Sequence, residues 1–527
     1  MGSERVDTTD QSDKINSPVE TECGRSRLRT NLAVLGAAIG TFLAALDITI
    51  MGTAMPTIIS ILGGFEIYSW AFTSYFLASI VSTPIFGKLA DMYSIRKIFL
   101  ASVWVFIGAS VLCGMSQNMY QLIAFRGLQG AGGGALIALC LTVIGAIYPP
   151  EKIGRMLGIM AAVWALAAVM GPIIGGLLVE KISWRWIFYI NLPSGLVAAA
   201  LVAAGLGKVR NRQHGKPDYI GGVTLLCGVL ALLLVAGQGE TRPFSPLDAC
   251  LLVIGVFCIV VFIWNESRTE EPILPLSLFR IKTFSMCNAL GFFAGAATFS
   301  VSAYLPLFYQ TVIKSSALRA GAVLMPLSIF WGVASAGGVN LLLGRVSHHK
   351  LLALGFGFMV SAYAILSQID AGTSAWVLYL STSILGIGLG FAAPMILTLI
   401  QTSVSKRNLG VATSSAMFFR QLGGAVIISS LGGVMSRGLT KRLAALGKDP
   451  AYREVAQAIT NPRDLIRPEV MERFPTETVD MLKGMFAESF TSIFRIALII
   501  VGIGLVLSII FVSMSRKTDS ENEGRQG

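Results

Sequence analysis

Apolar residues run along this chain in long blocks separated by short polar connectors. Blocks of about 17–28 residues match the length a helix needs to cross roughly 30 Å of hydrocarbon. The pattern predicts fourteen helices, near residues 31–59, 70–89, 98–115, 120–147, 156–178, 186–206, 220–236, 247–264, 284–309, 320–343, 351–367, 375–398, 411–435 and 490–512. None of these blocks shows the residue-by-residue alternation of a membrane β-barrel strand. The fold class is therefore an all-α polytopic membrane protein.

Connector lengths divide the blocks into six, two and six. This predicts an N-terminal six-helix half (31–208), a two-helix insert (219–264) and a C-terminal six-helix half (284–512). Two such halves around a midplane cavity are the plan of many secondary transporters. Residues 1–30 are polar, lack a signal-peptide core and read as a disordered cytosolic tail. Residues 513–527 read as a second cytosolic tail, and 436–489 as a long outer loop of mixed charge.

Composition agrees with this class. The chain is 54% hydrophobic and 13% charged, against about 25% charged in soluble proteins. Mean hydropathy is +0.70. The net charge of +12 resolves into sidedness. With the N-terminus inside, the predicted inner connectors hold sixteen Lys and Arg and the short outer ones five: Lys181, Arg185, Arg242, Lys314 and Arg319. That is the positive-inside bias, and it puts both termini in the cytosol. No basic stripe interleaved with aromatics points to nucleic acid. The seven cysteines and three histidines form no metal-ligand spacing, and no cofactor or metal is expected. No nucleophile–base constellation and no phosphate-binding loop occurs in the spans, which argues against an enzyme or an ATP-driven pump.

Candidate chemistry centres on Asp47, the only carboxylate well inside any predicted span. An ionisable group at that depth is expensive, usually paired and usually functional. Arg126 lies at a matching depth in the fourth span, so an Asp47–Arg126 pair is expected; a purely structural pair is the competing reading. Glycines 127, 130, 132, 133 and 134 beside it permit close helix contact. Gly171-Pro172, followed by Gly175 and Gly176, predicts a bend and a flat face suited to a moving gate. The 87–97 loop, GKLADMYSIRK, places Gly87, Asp91 and Arg96 in an inner charge cluster. WRWIFYINLP (184–193) reads as an interfacial aromatic belt. Arg420 falls near mid-membrane with no acid at its depth. It is open to an anionic substrate group or to the carbonyls of a helix break. Aromatic residues such as Tyr75, Trp164 and Tyr304 suggest a weakly polar cavity for bulky amphipathic solutes.

Taken together these runs resemble the major facilitator superfamily, and within it the fourteen-span drug:proton antiporters of fungal toxin and multidrug efflux type. LDITIMGTAMP is similar to the helix-one motif, with Asp47 in the proton-linked position. RGLQGAGGG resembles the helix-four motif, with Arg126 in the place linked to proton transfer. GKLADMYSIRK looks like the loop motif, although Ser94 and Ile95 replace its second Gly and following base. MGPIIGG looks like the antiporter motif, although Ala167 replaces its leading Gly. YLPLFYQ (304–310) and FRQLGGA (419–425) are also similar to runs in this group. The resemblance implies proton coupling through Asp47 and Arg126 and a conformational gate at Gly87, Asp91, Arg96, Gly171, Pro172, Gly175 and Gly176. It also implies a substrate cavity near Tyr75, Trp164, Tyr304, Gln310 and Arg420. The expected function is proton-coupled export of small amphipathic compounds by a monomer in the plasma membrane, the vacuolar membrane being the alternative site. Two rivals are a proton-coupled uptake transporter for a siderophore or nutrient, and a non-transporting sensor.

Overall fold

The structure is a computed structural model. It describes residues 27–148, 150–207, 218–238, 245–269, 272–274, 276–313, 315–335, 346–404, 409–446, 448 and 474–523. A helix or a helix pair occupies every predicted stretch, the tenth as far as residue 335. The N-terminal half comprises α1 (Arg27–Leu62), α2 (Trp70–Met92), α3 (Ile95–Met115), α4 (Met119–Ile147), α5 (Pro150–Lys181), α6 (Trp186–Tyr189) and α7 (Asn191–Gly205). The two helices expected as an insert are α8 (Tyr219–Gln238) and α9 (Pro246–Glu266). The C-terminal half comprises α10 (Lys282–Thr311), α11 (Ala317–Ala322), α12 (Met325–Val333), α13 (His348–Leu366), α14 (Ala375–Ser403), α15 (Leu409–Leu446) and α16 (Thr476–Glu523). Ten of the described helical segments are long and apolar enough to cross a membrane, and Ile220–Val235 and Leu318–Val333 are shorter apolar helices. The protein is a multi-pass integral membrane protein.

Two predicted spans are broken, and proline explains both. Pro193 has no N–H for the Tyr189 carbonyl four residues back, and α6 ends at Tyr189. Pro326 likewise cannot serve Ala322, the last residue of α11. The predicted outer loop 436–489 is shortened at both ends, because α15 runs on to Leu446 and α16 starts at Thr476. The predicted N-terminal tail lies outside the described residues as far as position 26.

Buried apolar side chains from both halves form one continuous core. The opposite face is a belt of exposed apolar residues such as Trp104, Val253, Phe257, Ile499 and Val506. In water such a belt would be a liability; in lipid it is the solvent-matched surface. The insert packs across the seam between the halves. Gly222 of α8 sits against Ile85 of α2, and Ser429 Oγ of α15 donates to the Leu233 carbonyl of α8 at 3.2 Å.

The halves meet at the end of the bundle that carries the α1–α2 and α5–α6 connectors, the end that the charge bias predicts to be outer and that is called the outer end below. There the Tyr68 and Tyr304 rings lie 6.2 Å apart and Phe65 lies 6.3 Å from Phe486. Gln310 Nε2 donates to the Thr53 carbonyl at 3.1 Å. A Cβ at Gly176 of α5 would lie 2.5 Å from Leu318 Cα of α11. The outer end is closed.

Candidate functional site

Asp47 and Arg126 are 1% and 2% exposed, and Arg126 Nη1 lies 2.6 Å from Asp47 Oδ2. The depth match read from two separate helices is thus a direct ion pair. Its surroundings explain how two charges are held in a membrane interior. Gln129 Nε2 and Asn191 Nδ2 donate to Asp47 Oδ1 at 2.7 and 3.0 Å. Arg126 also donates to Gln129 Oε1 at 2.8 Å and, through Nε, to the Ala71 carbonyl at 3.3 Å. Ser110 Oγ joins the parts by accepting from Gln129 at 2.7 Å and from Asn191 at 3.2 Å. Cys113 Sγ lies 3.5 Å from Gln129 Oε1. Five helices therefore contribute: α1, α2, α3, α4 and α7.

Local sequence sets this geometry. Asn118 caps α4 by accepting from the Gln121 N–H at 2.9 Å, which fixes where the helix begins. Arg126 and Gln129 are three residues apart and share a face. A Cβ at Gly130 would lie 2.2 Å from the Tyr75 carbonyl oxygen, so only glycine lets α2 approach this closely. That approach brings the Tyr75 ring to 4.2 Å from the Arg126 guanidinium, a cation–π contact on the face that the carboxylate leaves free. The Tyr75 hydroxyl and Asn191 Oδ1 are buried without partners. The network therefore holds one unused donor and one unused acceptor.

Of the other expected site residues, α5 carries four: Pro172 and Gly176 meet the C-terminal half, where the Pro172 carbonyl lies against Gly321, and two glycines pack on α1. Gly171 faces Thr49 and Gly175 faces Ile50, both on α1, while Gly176 faces Leu318 of the other half. α5 runs unbroken through Pro172. The Ala168 carbonyl, which Pro172 cannot serve, instead accepts from Ser328 Oγ of α12 at 3.2 Å. Gly87 and Asp91 belong to the last two turns of α2, where side-chain surroundings fall outside the described residues. Arg96 is half-buried in the first turn of α3.

The cavity candidates separate. Tyr75 belongs to the ion-pair network. Tyr304 is fully buried and donates to the Ile428 carbonyl at 2.6 Å, and Gln310 bridges the halves at the outer end. Trp164 is half-buried against Ala45, Leu46 and Ala167. Arg420 is half-buried on α15; its Nε is buried without a partner, as is Gln421 Oε1. The structure does not bring Arg420 to Asp47.

Sequence reasoning missed Gln129, Ser110, Cys113 and Asn191. Gln129 had a signal, being one turn from Arg126 on an otherwise apolar and glycine face. Asn191 sat within a run read as an aromatic belt. Arg185, assigned to that belt, instead donates to the Gly114 and Ser116 carbonyls at 2.5 and 2.8 Å and so caps the end of α3. Ser110 and Cys113 are ordinary residues for a membrane helix and carried no signal.

Comparison with known proteins bears on what this site serves. The sequence model of the Major Facilitator Superfamily matches residues 37–428. The chain is 34% identical to the multidrug transporter protein MdtP of Bacillus subtilis, over 95% of this chain and 97% of that one. It is 32% identical to the efflux pump dotC of Dothistroma septosporum, over 84% of this chain and 79% of that one. Among solved structures it resembles a bacterial homologue of the human lysosomal transporter Spinster, with TM-score 0.66 and 16% identity, over 92% of this chain and 97% of that one. The last likeness concerns the fold alone.

Proposed function

The chain belongs to the major facilitator superfamily, and on that premise we propose that it is a proton-driven exporter of small amphipathic organic compounds that crosses the membrane fourteen times. The carrying observation is the Asp47–Arg126 pair, 2.6 Å apart and sealed from solvent. The names of the relatives, a multidrug transporter and an efflux pump, support export over uptake.

The geometry supports a coupling mechanism. Ionised Asp47 is an acceptor only, and it takes hydrogen bonds from Arg126, Gln129 and Asn191. A proton arriving from outside turns one carboxylate oxygen into a donor and removes the charge that holds Arg126. Arg126 keeps the Gln129 and Ala71 oxygens and the Tyr75 ring, so it need not leave the site uncompensated. Asp47 O–H can turn to the unused Asn191 Oδ1 acceptor. The ties between α1, α4 and α7 weaken together, and all three belong to the N-terminal half. A ligand does work on a two-state protein only through differential affinity for the two states. Here the proton is bound differently before and after the outer end closes. Substrate is then released outward in exchange for the proton.

The test uses inside-out membrane vesicles with an acidic lumen and a fluorescent amphipathic cation. Wild type accumulates dye, a protonophore abolishes the accumulation, and Asp47→Asn reduces it to background. Equal accumulation by Asp47→Asn would remove Asp47 from the coupling step.

A further inference from the structure

Arg420 is the one guanidinium of the C-terminal half near mid-membrane, and the coupling network does not use it. Among the described residues it makes no hydrogen bond or ion pair, and its Nε is buried without a partner. It caps no carbonyl, so a purely structural role has no contact to carry it. Nor is a carboxylate to be had: Asp47 is the only acid well inside the spans, and it is held by Arg126. The residue is only partly exposed and its Nε is buried, so the guanidinium is a largely buried cation in want of a partner.

Neighbouring contacts place Arg420 in the bundle. The Arg420 carbonyl lies against Gly295 of α10, and Gly423 and Gly424 lie against Phe292 and Phe299. Phe299 meets Phe76 of the other half with ring centroids 4.5 Å apart. Arg420 is thus level with Gly295, one helical turn or about 6 Å to the inner side of the Phe76–Phe299 contact. Half-buried Phe292 and Phe299 supply aromatic surface about one helical turn to either side of that level. When the site is closed on both sides during transport, water leaves, and an unpaired guanidinium then becomes costly. A neutral acceptor would leave that charge uncompensated. A carboxylate or ionised phenol would neutralise it, with the planar fork geometry that guanidinium favours.

We propose that the compounds this protein moves best are aromatic organic anions, bound through Arg420 beside Phe292 and Phe299. This rests on the exporter reading and assigns its substrate class. Two xanthene dyes of similar shape separate the two ideas: anionic fluorescein and a cationic rhodamine ester. Binding to purified full-length protein in detergent is read by fluorescence anisotropy, and transport by the acid-lumen vesicles. Fluorescein is expected to bind wild type more tightly than the rhodamine ester. Arg420→Gln should weaken fluorescein binding about ten-fold or more and leave the rhodamine ester bound at least as tightly, since a like charge is removed, while Arg420→Lys recovers part of the fluorescein loss. Retained rhodamine binding shows that the variant is folded. Fluorescein binding that depends on Arg420 without flux in vesicles keeps the site and removes the exporter. Fluorescein affinity equal in wild type and Arg420→Gln, or no fluorescein binding to wild type, overturns the proposal whether or not rhodamine is exported.

Discussion

At the scale of single residues, the Asp47–Arg126 pair shows how a membrane interior tolerates charge. Neither group is neutralised by its partner alone. Asp47 accepts three hydrogen bonds, and Arg126 spreads its charge over a carboxylate, an amide, a carbonyl and a ring. Removing one partner of a buried pair is far worse than removing both, because an uncompensated charge remains. Arg126→Gln should therefore destabilise the protein by about 3–5 kcal/mol, read as a lowered melting temperature in detergent. The double variant Asp47→Asn/Arg126→Gln should regain most of that loss. Melting of Arg126→Gln at the wild-type temperature would show that the pair is not energetically coupled.

At the scale of elements, prolines decide where the helices accept partners. A helical proline withholds its N–H from the carbonyl four residues earlier, and in lipid that carbonyl has no water to turn to. Pro394 leaves the Gly390 carbonyl, which accepts from Ser335 Oγ at 3.0 Å. Pro172 leaves the Ala168 carbonyl to Ser328, and that bond crosses between the halves. Because it ties the two halves in the closed arrangement, it is expected to favour that state. Interhelical bonds of this kind contribute about 0.6–1.7 kcal/mol. Ser328→Ala should accordingly raise the outward-open fraction several-fold, measured as faster labelling by an impermeant maleimide of a Ser302→Cys reporter on α10, where the Ser302 carbonyl packs against Gly52 of α1 across the halves. Pro172→Ala restores the backbone N–H, so adding Ser328→Ala to it should change labelling little. An equal effect of Ser328→Ala in both backgrounds would separate the serine from the proline. At the same seam, Gly176→Val places side-chain atoms into Leu318. It should hold the outer end open and cut transport to about a tenth or less, the loss expected when a closed state is penalised by 1.4 kcal/mol or more.

At the scale of the whole molecule, the Asp47–Arg126 network lies entirely within one half, and the outer closure lies between halves. The Asp47 network draws on α1, α2, α3, α4 and α7, whereas Arg420 belongs to α15. In the proposed exporter cycle, communication between proton and substrate passes through the movement of one half against the other. The insert stands apart from both sites. α8 touches α2 and α15 across the seam, and α9 presents a mostly exposed apolar face. Replacing residues 207–272 by a flexible linker keeps the ends of α7 and α10 on the same side. The expected outcome is less protein with a lower melting temperature, but Asp47-dependent flux per molecule that persists. Complete loss of flux from folded protein would give the insert a part in the cycle.

The apolar block pattern was enough to determine class and helix positions, because the bilayer penalises every unpaired backbone group and admits few solutions; the charge bias adds an expected sidedness. The pattern also exposed Asp47 and Arg126, since charge stands out against an apolar background. What it could not show was the company those residues keep. Ser110, Cys113, Gln129 and Asn191 are individually commonplace, and they converge only because glycines in α4 and the Pro193 break before α7 bring separate helices to one point. Tyr304 and Gln310 looked like cavity residues from their motif, and the packing of α10 on α1, α2 and α15 sets them at the outer closure. Depth in the membrane is a one-dimensional property that a sequence carries. Which side chains meet at a given depth depends on helix rotation and approach, and those are decided only when all the helices pack.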